Sequence, residues 1–238
     1  MGEFLTRVCI NPRINLNRDE FPFTLPVFRE FRELMLHPDI TFFVGENGSG
    51  KSTLLEAIAV NYGLPAEGGS KHHTFSTHDT HSELWDKIIL AKPDYPKEAM
   101  FIRAETFYTF ATYLEESGGI RYGDLHHRSR GQGFMETIAA LKPPGLYLMD
   151  EPESALSVQG LITFLAQLKR LIDCGSQFII ATHSPILLGF GRGTIYEFTD
   201  DGIAAVEYKE TNNYRLTLDF LKNRDRYAAL LGLDTGPG

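Results

Sequence analysis

Eight consecutive residues, Gly45-Glu46-Asn47-Gly48-Ser49-Gly50-Lys51-Ser52, fit the pattern G-x-x-x-x-G-K-[ST]. Residues of these types at this spacing capture a polyphosphate. Glycines let the backbone approach phosphate closely and adopt angles that a Cβ forbids. Successive N–H groups and the positive end of a following helix then wrap the anion. The expected binding set is Glu46, Asn47, Gly48, Ser49, Gly50, Lys51, Ser52 and Thr53. Lys51 would reach the β- and γ-phosphates, serving catalysis as well as binding, and the Ser52 hydroxyl would hold Mg²⁺. Two carboxylates, Asp150 and Glu151, follow the apolar run Leu146-Tyr147-Leu148-Met149. Asp150 suits the Mg²⁺ shell, and Glu151 suits orienting and polarising an attacking water. Consecutive residues leaving a strand point to opposite sides, which lets the pair meet both demands. His183 lies 32 residues beyond Glu151, at the end of another apolar run, Gln177–Ala181. One helix and one strand bring it to the same sheet edge, where it could hydrogen-bond the γ-phosphate.

These groups need strands that end together and helices that begin there. Ile40–Val44 reads as a strand and Thr53–Val60 as a helix on either side of the glycine loop. Leu146–Met149 and Ser176–Thr182 read as buried strands, with an amphipathic helix over Val158–Ile172 between them. Leu5–Ile10 and Ala99–Arg103 read as strands, and Val27–Met35, Thr106–Leu114 and Gly133–Lys142 as helices. Asp201-Gly202 is a hairpin turn between Thr194–Phe198 and Ile203–Tyr208, and Leu216–Leu231 is helical. Residues 62–98 are irregular and read as a long insertion with one short helix around Glu83–Leu90. Apolar strands alternating with helices predict an α/β chain with a mostly parallel sheet.

The chain has 238 residues, 42% apolar and 23% charged, which suits one domain over 1–238, with length for one large core or at most two small ones. No apolar stretch approaches the roughly 20 residues that span a bilayer. The N-terminus shows no signal-peptide pattern, and two cysteines, Cys9 and Cys174, suit a reducing cytoplasm. Net charge is −8, from 23 basic and 31 acidic side chains, so nucleic acid is not indicated as a partner. A local patch around Arg121, His126, His127, Arg128 and Arg130 leaves it open. His72, His73, His78 and His81 read as a solvated loop rather than a metal site.

Ser129-Arg130-Gly131-Gln132-Gly133 precedes a helix and is similar to the S-G-G-Q signature of ABC-type ATPases. The order of glycine loop, S-x-G-Q, strand with Asp-Glu-Pro, then Thr-His-Ser-Pro resembles the ABC/SMC-type P-loop ATPase superfamily. Phe101-Ile102-Arg103-Ala104-Glu105, Leu125-His126, Asp150–Ser157 and Phe178–Leu187 resemble a group of small soluble ATPases within it. The resemblance covers about residues 20–230. It implies a P-loop NTPase fold of ABC-ATPase type: a mostly parallel central sheet flanked by helices, an antiparallel β part and a small helical lobe with the signature. The core lobe would be about 1–62, 99–105 and 143–238, and the insertion and signature lobe about 63–98 and 106–142. It implies ATP and Mg²⁺ as ligands, and an ATP-dependent homodimer closed head to tail. In that dimer Ser129, Gly131 and Gln132 serve the partner's nucleotide, and Ser154–Ser157 contact its site. Hydrolysis would work a switch on an unidentified protein partner.

Two positions depart from the family pattern. No glutamine occurs between Thr53 and Gly131, so Glu105 is the candidate for its place at the metal, or else a helix N-terminal acid. Arg130 stands where the signature has glycine. Phe21 or Phe23 could stack on adenine, although core packing is the stronger reading. The alternative function is the nucleotide-binding subunit of an ABC transporter, which the missing glutamine disfavours. An SMC-type coiled-coil arm does not fit, because only 77 residues separate Lys51 from Ser129 and they carry no sustained heptads.

Overall fold

The computed structural model describes residues 3–70, 82–104 and 130–233. Chain order is β1 (Arg7–Ile10), α1 (Pro26–Arg29), β2 (Glu33–Met35), β3 (Ile40–Gly45), α2 (Lys51–Tyr62), β4 (Gly69–Ser70), α3 (Leu84–Lys87), β5 (Ile88–Ala91) and β6 (Glu98–Arg103). Then come α4 (Arg130–Ala140), β7 (Gly145–Asp150), α5 (Val158–Asp173), β8 (Gln177–Ala181), α6 (Pro185–Leu188), β9 (Thr194–Thr199), β10 (Gly202–Val206), α7 (Asn212–Lys222) and α8 (Arg224–Leu230).

Among the described residues, seven strands form one sheet in the order β10-β9-β3-β8-β7-β6-β4. The inner pairs, β9–β3, β3–β8, β8–β7 and β7–β6, are parallel, whereas β10 and β4 run antiparallel at the edges. β3, β7 and β8 are buried along their whole length, as strands covered on both faces must be. Alternation sorts their side chains between two cores. Phe43, Leu148 and Ile179 face α2 and the small sheet β2-β1-β5. Phe42, Tyr147 and Ile180 face α5, where Leu161, Phe164, Leu168 and Leu171 supply the apolar stripe. Layers on both faces hold the sheet rigid, and its strand ends carry the site.

Three expected elements differ. Over Val27–Met35 only Pro26–Arg29 is helical, and Glu33–Met35 is a strand, with Leu34 buried opposite Val8. Around Glu83–Leu90 the helix stops at Lys87, and Ile88–Ala91 pairs with β1, burying Ile88 and Leu90 while Ile89 faces out. Short apolar runs carry both periodicities, and pairing with a neighbouring strand decides between them. The C-terminal helix is two helices, broken at Asn223. The helix expected over Thr106–Leu114 and the histidines at 72–81 lie outside the described residues.

Candidate active site

β3 delivers the chain into the loop at Gly45, whose φ is 151°. A Cβ there would stand 2.5 Å from the Phe198 carbonyl oxygen, so only glycine lets β9 and the loop approach this closely. Gly50 has φ 96° and packs on Phe28 and Val27 of α1, which fixes the start of α2. Lys51 is the first residue of α2 and is 3% exposed. Its Nζ donates to the carbonyls of Gly45 (3.0 Å) and Glu46 (2.7 Å). Burial pushes its pKa down, and the charges of Glu151, Asp150 and Glu153 push back.

Ser52, one residue on, donates its hydroxyl to Asp150 Oδ1 at 2.9 Å. The contact joins residues 98 apart in sequence, because β7 ends beside the start of α2. Asp150 Oδ2 is 3.4 Å from Arg103 Nη2, which stands opposite it in the β6–β7 register. Arg103 also donates to Glu56 (2.8 Å) and to the Ala66 carbonyl (3.1 Å). A hydroxyl and a carboxylate converging as oxygen donors fit Mg²⁺. The Ser49 hydroxyl is buried in the loop without a hydrogen-bond partner among the described residues, as a group awaiting phosphate would be. These features fit both the metal and the nucleotide.

Glu151 leaves β7 with φ 49°, the one non-glycine residue at positive φ among those described. This conformation costs about 1 kcal/mol and is held by the Glu151 N–H donating to the Ala181 carbonyl at 2.9 Å. The side chain stays 39% exposed, and Oε1 lies 3.4 Å from His183 Nε2. That is ion-pair distance without hydrogen-bond alignment, since Nε2 makes no hydrogen bond among the described residues. Burial lowers the His183 pKa first and the Lys51 charge adds to it, while Glu151 opposes both; the net shift is downward. The imidazole is therefore neutral at pH 7. In ¹⁵N NMR, it should titrate below the ordinary value of about 6.5. A midpoint above that would mean that Glu151 outweighs burial.

Two side chains hold the backbone of His183. Glu153 Oε1 accepts from the His183 N–H at 2.5 Å and from the Thr182 hydroxyl at 2.7 Å. Asn213 Nδ2 donates to the His183 carbonyl at 2.8 Å. Burial raises the pKa of Glu153, and the hydrogen bonds it accepts act against that.

The structure thus brings Lys51, Ser52, Asp150, Glu151 and His183 together at one sheet edge. Gly131 and Gln132 open α4, and a Cβ on Gly131 would lie 3.1 Å from the Ala155 carbonyl oxygen. The expected Ser154–Ser157 segment begins in the 3₁₀ turn Pro152–Ala155 and ends at Ser157, the N-cap of α5. Ser129 and Glu105 lie outside the described residues. A cleft of about 320 Å³ opens beside the loop between Leu25–Val27, Glu197–Asp200 and Asn212–Asn213. Neither candidate phenylalanine lines it: Phe23 is buried in the core and Phe21 is 57% exposed. Three contributors went unassigned in the sequence. Arg103 and Glu153 sit inside recognisable motifs, but only their neighbours in space show what they bind. Asn213 carries no motif.

An AAA domain family matches residues 25–113. No curated protein matches the sequence. Among solved structures, cbiO1 from Clostridium perfringens, part of the ABC transporter complex cbiONQ, is 16% identical with a TM-score of 0.53, over 97% of this chain and 100% of that one. The SMC head domain from Thermotoga maritima is 17% identical with a TM-score of 0.52, over 86% and 99%. At such identities the likeness concerns the fold. The chain has the α/β fold of the ABC/SMC-type P-loop ATPases. No helix among the described residues is long and apolar enough to cross a membrane.

Proposed function

We propose that this chain hydrolyses ATP to ADP and phosphate with Mg²⁺, as a soluble cytoplasmic ATPase. The observation that carries the reading is the 2.9 Å contact of Ser52 with Asp150, with Glu151 next in the chain and His183 3.4 Å from it. Ser52 and Asp150, with Glu105 as a third candidate, would hold Mg²⁺, which neutralises charge on the phosphates. Lys51 would exchange its two carbonyl partners for phosphate oxygens. Glu151 would orient and polarise the attacking water, and neutral His183 would hydrogen-bond the terminal phosphate.

Head-to-tail pairing of two copies would bring Ser129, Gly131 and Gln132 of one protomer onto the other's nucleotide. Closure and reopening would then drive a switch on a protein partner. Of the lobe expected over about 63–98 and 106–142, the second part belongs to the same reading, whereas Gly69–Ser70 and Ile88–Ala91 pair into the sheets of the core.

Phosphate release from ATP tests the proposal. It should require Mg²⁺ and fall to background with EDTA; no release in Mg²⁺ would reject the function. Ser129→Arg should lower turnover by about 10²-fold while sparing ATP binding, since a loop acting on the partner's phosphates serves the transition state. Equal loss of binding would count against pairing in this orientation.

A further inference from the structure

His183 is fixed by its backbone more than by its ring. Both polar groups of its peptide are taken by side chains, the N–H by Glu153 and the carbonyl by Asn213. The two come from different directions. Glu153 stands in the 3₁₀ turn that begins directly after Glu151, and Asn213 stands in the first turn of α7. Thr182 tightens the same loop: its hydroxyl donates to Glu153 and accepts from the Ser184 N–H at 3.0 Å. The turn is braced in its own right, with the Ser154 hydroxyl donating to the Glu151 carbonyl at 2.9 Å. One short turn therefore sets the position of Glu151 and, through Glu153, that of His183.

We propose that Glu153 and Asn213 are positioning residues for His183, holding its imidazole at the reach of Glu151 that hydrolysis requires. This rests on the proposed hydrolysis of ATP. A carboxylate is an unfavourable choice for packing alone. Its second oxygen, Oε2, is buried with no hydrogen bond among the described residues, and a neighbouring carboxylate, Glu151, raises the cost of charging it. Such a cost is expected where geometry near the chemistry is being enforced. The clamp also ties the site to α7, whose outer face carries Leu216, Phe220 and Leu221 exposed, so displacement of α7 would reach His183 through Asn213.

Glu153→Ala, Glu153→Gln and Asn213→Ala test the proposal. An ångström of misplacement at a reacting group can cost about 10²-fold, so Glu153→Ala should lower kcat by roughly 10- to 100-fold and leave KM for MgATP within about threefold. Gln keeps an acceptor oxygen for the same two donors and should restore kcat to within about threefold of wild type. Asn213→Ala should lower kcat in the same pattern. Where Glu153→Ala does not fold, Asn213→Ala carries the kinetic test.

A second readout needs no turnover. In nucleotide-free protein, amide exchange at His183 should accelerate in Glu153→Ala and stay slow in Glu153→Gln. Wild-type kcat in both alanine variants would overturn the proposal. So would a Gln variant as poor as the Ala variant, or a loss that falls on KM instead. Inactive wild-type protein would remove the ATPase reading alone, and His183 exchange would still decide whether the clamp exists.

Discussion

Replacing Glu151 with glutamine is expected to lower ATP turnover by about 10²- to 10³-fold, within the range for loss of a general base, while ATP binding persists. The substitution is nearly isosteric. It leaves intact the backbone that sets the turn, where the Glu151 N–H is bound to the Ala181 carbonyl. It leaves untouched the glycine loop, Lys51, and the Ser52–Asp150 contact. What it removes is an anionic acceptor for a proton of the attacking water, and the charge that draws His183 toward protonation. The His183 titration midpoint should therefore drop further in the variant. With ATP bound and not cleaved, the paired form should accumulate, visible by size-exclusion chromatography in MgATP and absent in MgADP. Turnover at the wild-type rate would remove Glu151 from the role of base, and a variant that binds ATP yet stays single would reject the paired state.

The parts of this site that could be read from sequence are those whose chemistry sits in consecutive residues. The glycine loop specifies its own conformation, and Asp150–Glu151 and His183 end short apolar runs whose length and lack of charged residues mark buried strands. The parallel direction of β3, β8 and β7 then followed from the alternation of strands with helices, whereas their order in the sheet is set by long-range packing that local pattern does not carry. Local pattern failed where a long-range partner chose between two periods. Leu34 and Ile88 sit in strands because β1 lies between them, not because their own neighbours forbid a helix. Side chains that act on backbone were likewise hidden. Nothing in Asp-Glu-Pro-Glu distinguishes a carboxylate facing solvent from one receiving the His183 N–H, and a separation of 30 positions between His183 and Asn213 says nothing about contact. The strain at Glu151 is also a product of context: a hydrogen bond to β8, not residue type, holds it there.

Lys51→Met is expected to abolish turnover and weaken ATP binding by at least about 10²-fold, since an ammonium paired with phosphate in a dry site is worth several kcal/mol. Its effect on the nucleotide-free fold should be of the opposite sign. Lys51 is buried among carbonyls, and desolvation dominates its environment despite three nearby carboxylates. Methionine fills a similar volume without a charge to desolvate, so the melting temperature without ligand should equal or exceed that of wild type. The pH dependence follows from the direction of the lysine shift. A lysine whose folded pKa lies below its unfolded value of 10.5 penalises folding while it remains protonated. The penalty is complete below the folded pKa and is relieved as pH rises from there toward 10.5, because only the unfolded chain still holds the proton. The stability gap between Lys51→Met and wild type should therefore be largest near neutrality and close on the alkaline side. MgATP should reverse the order by stabilising wild type through binding while leaving the variant unmoved. A variant clearly less stable than wild type without nucleotide would show that Lys51 braces the empty loop through Gly45 and Glu46 more than its burial costs.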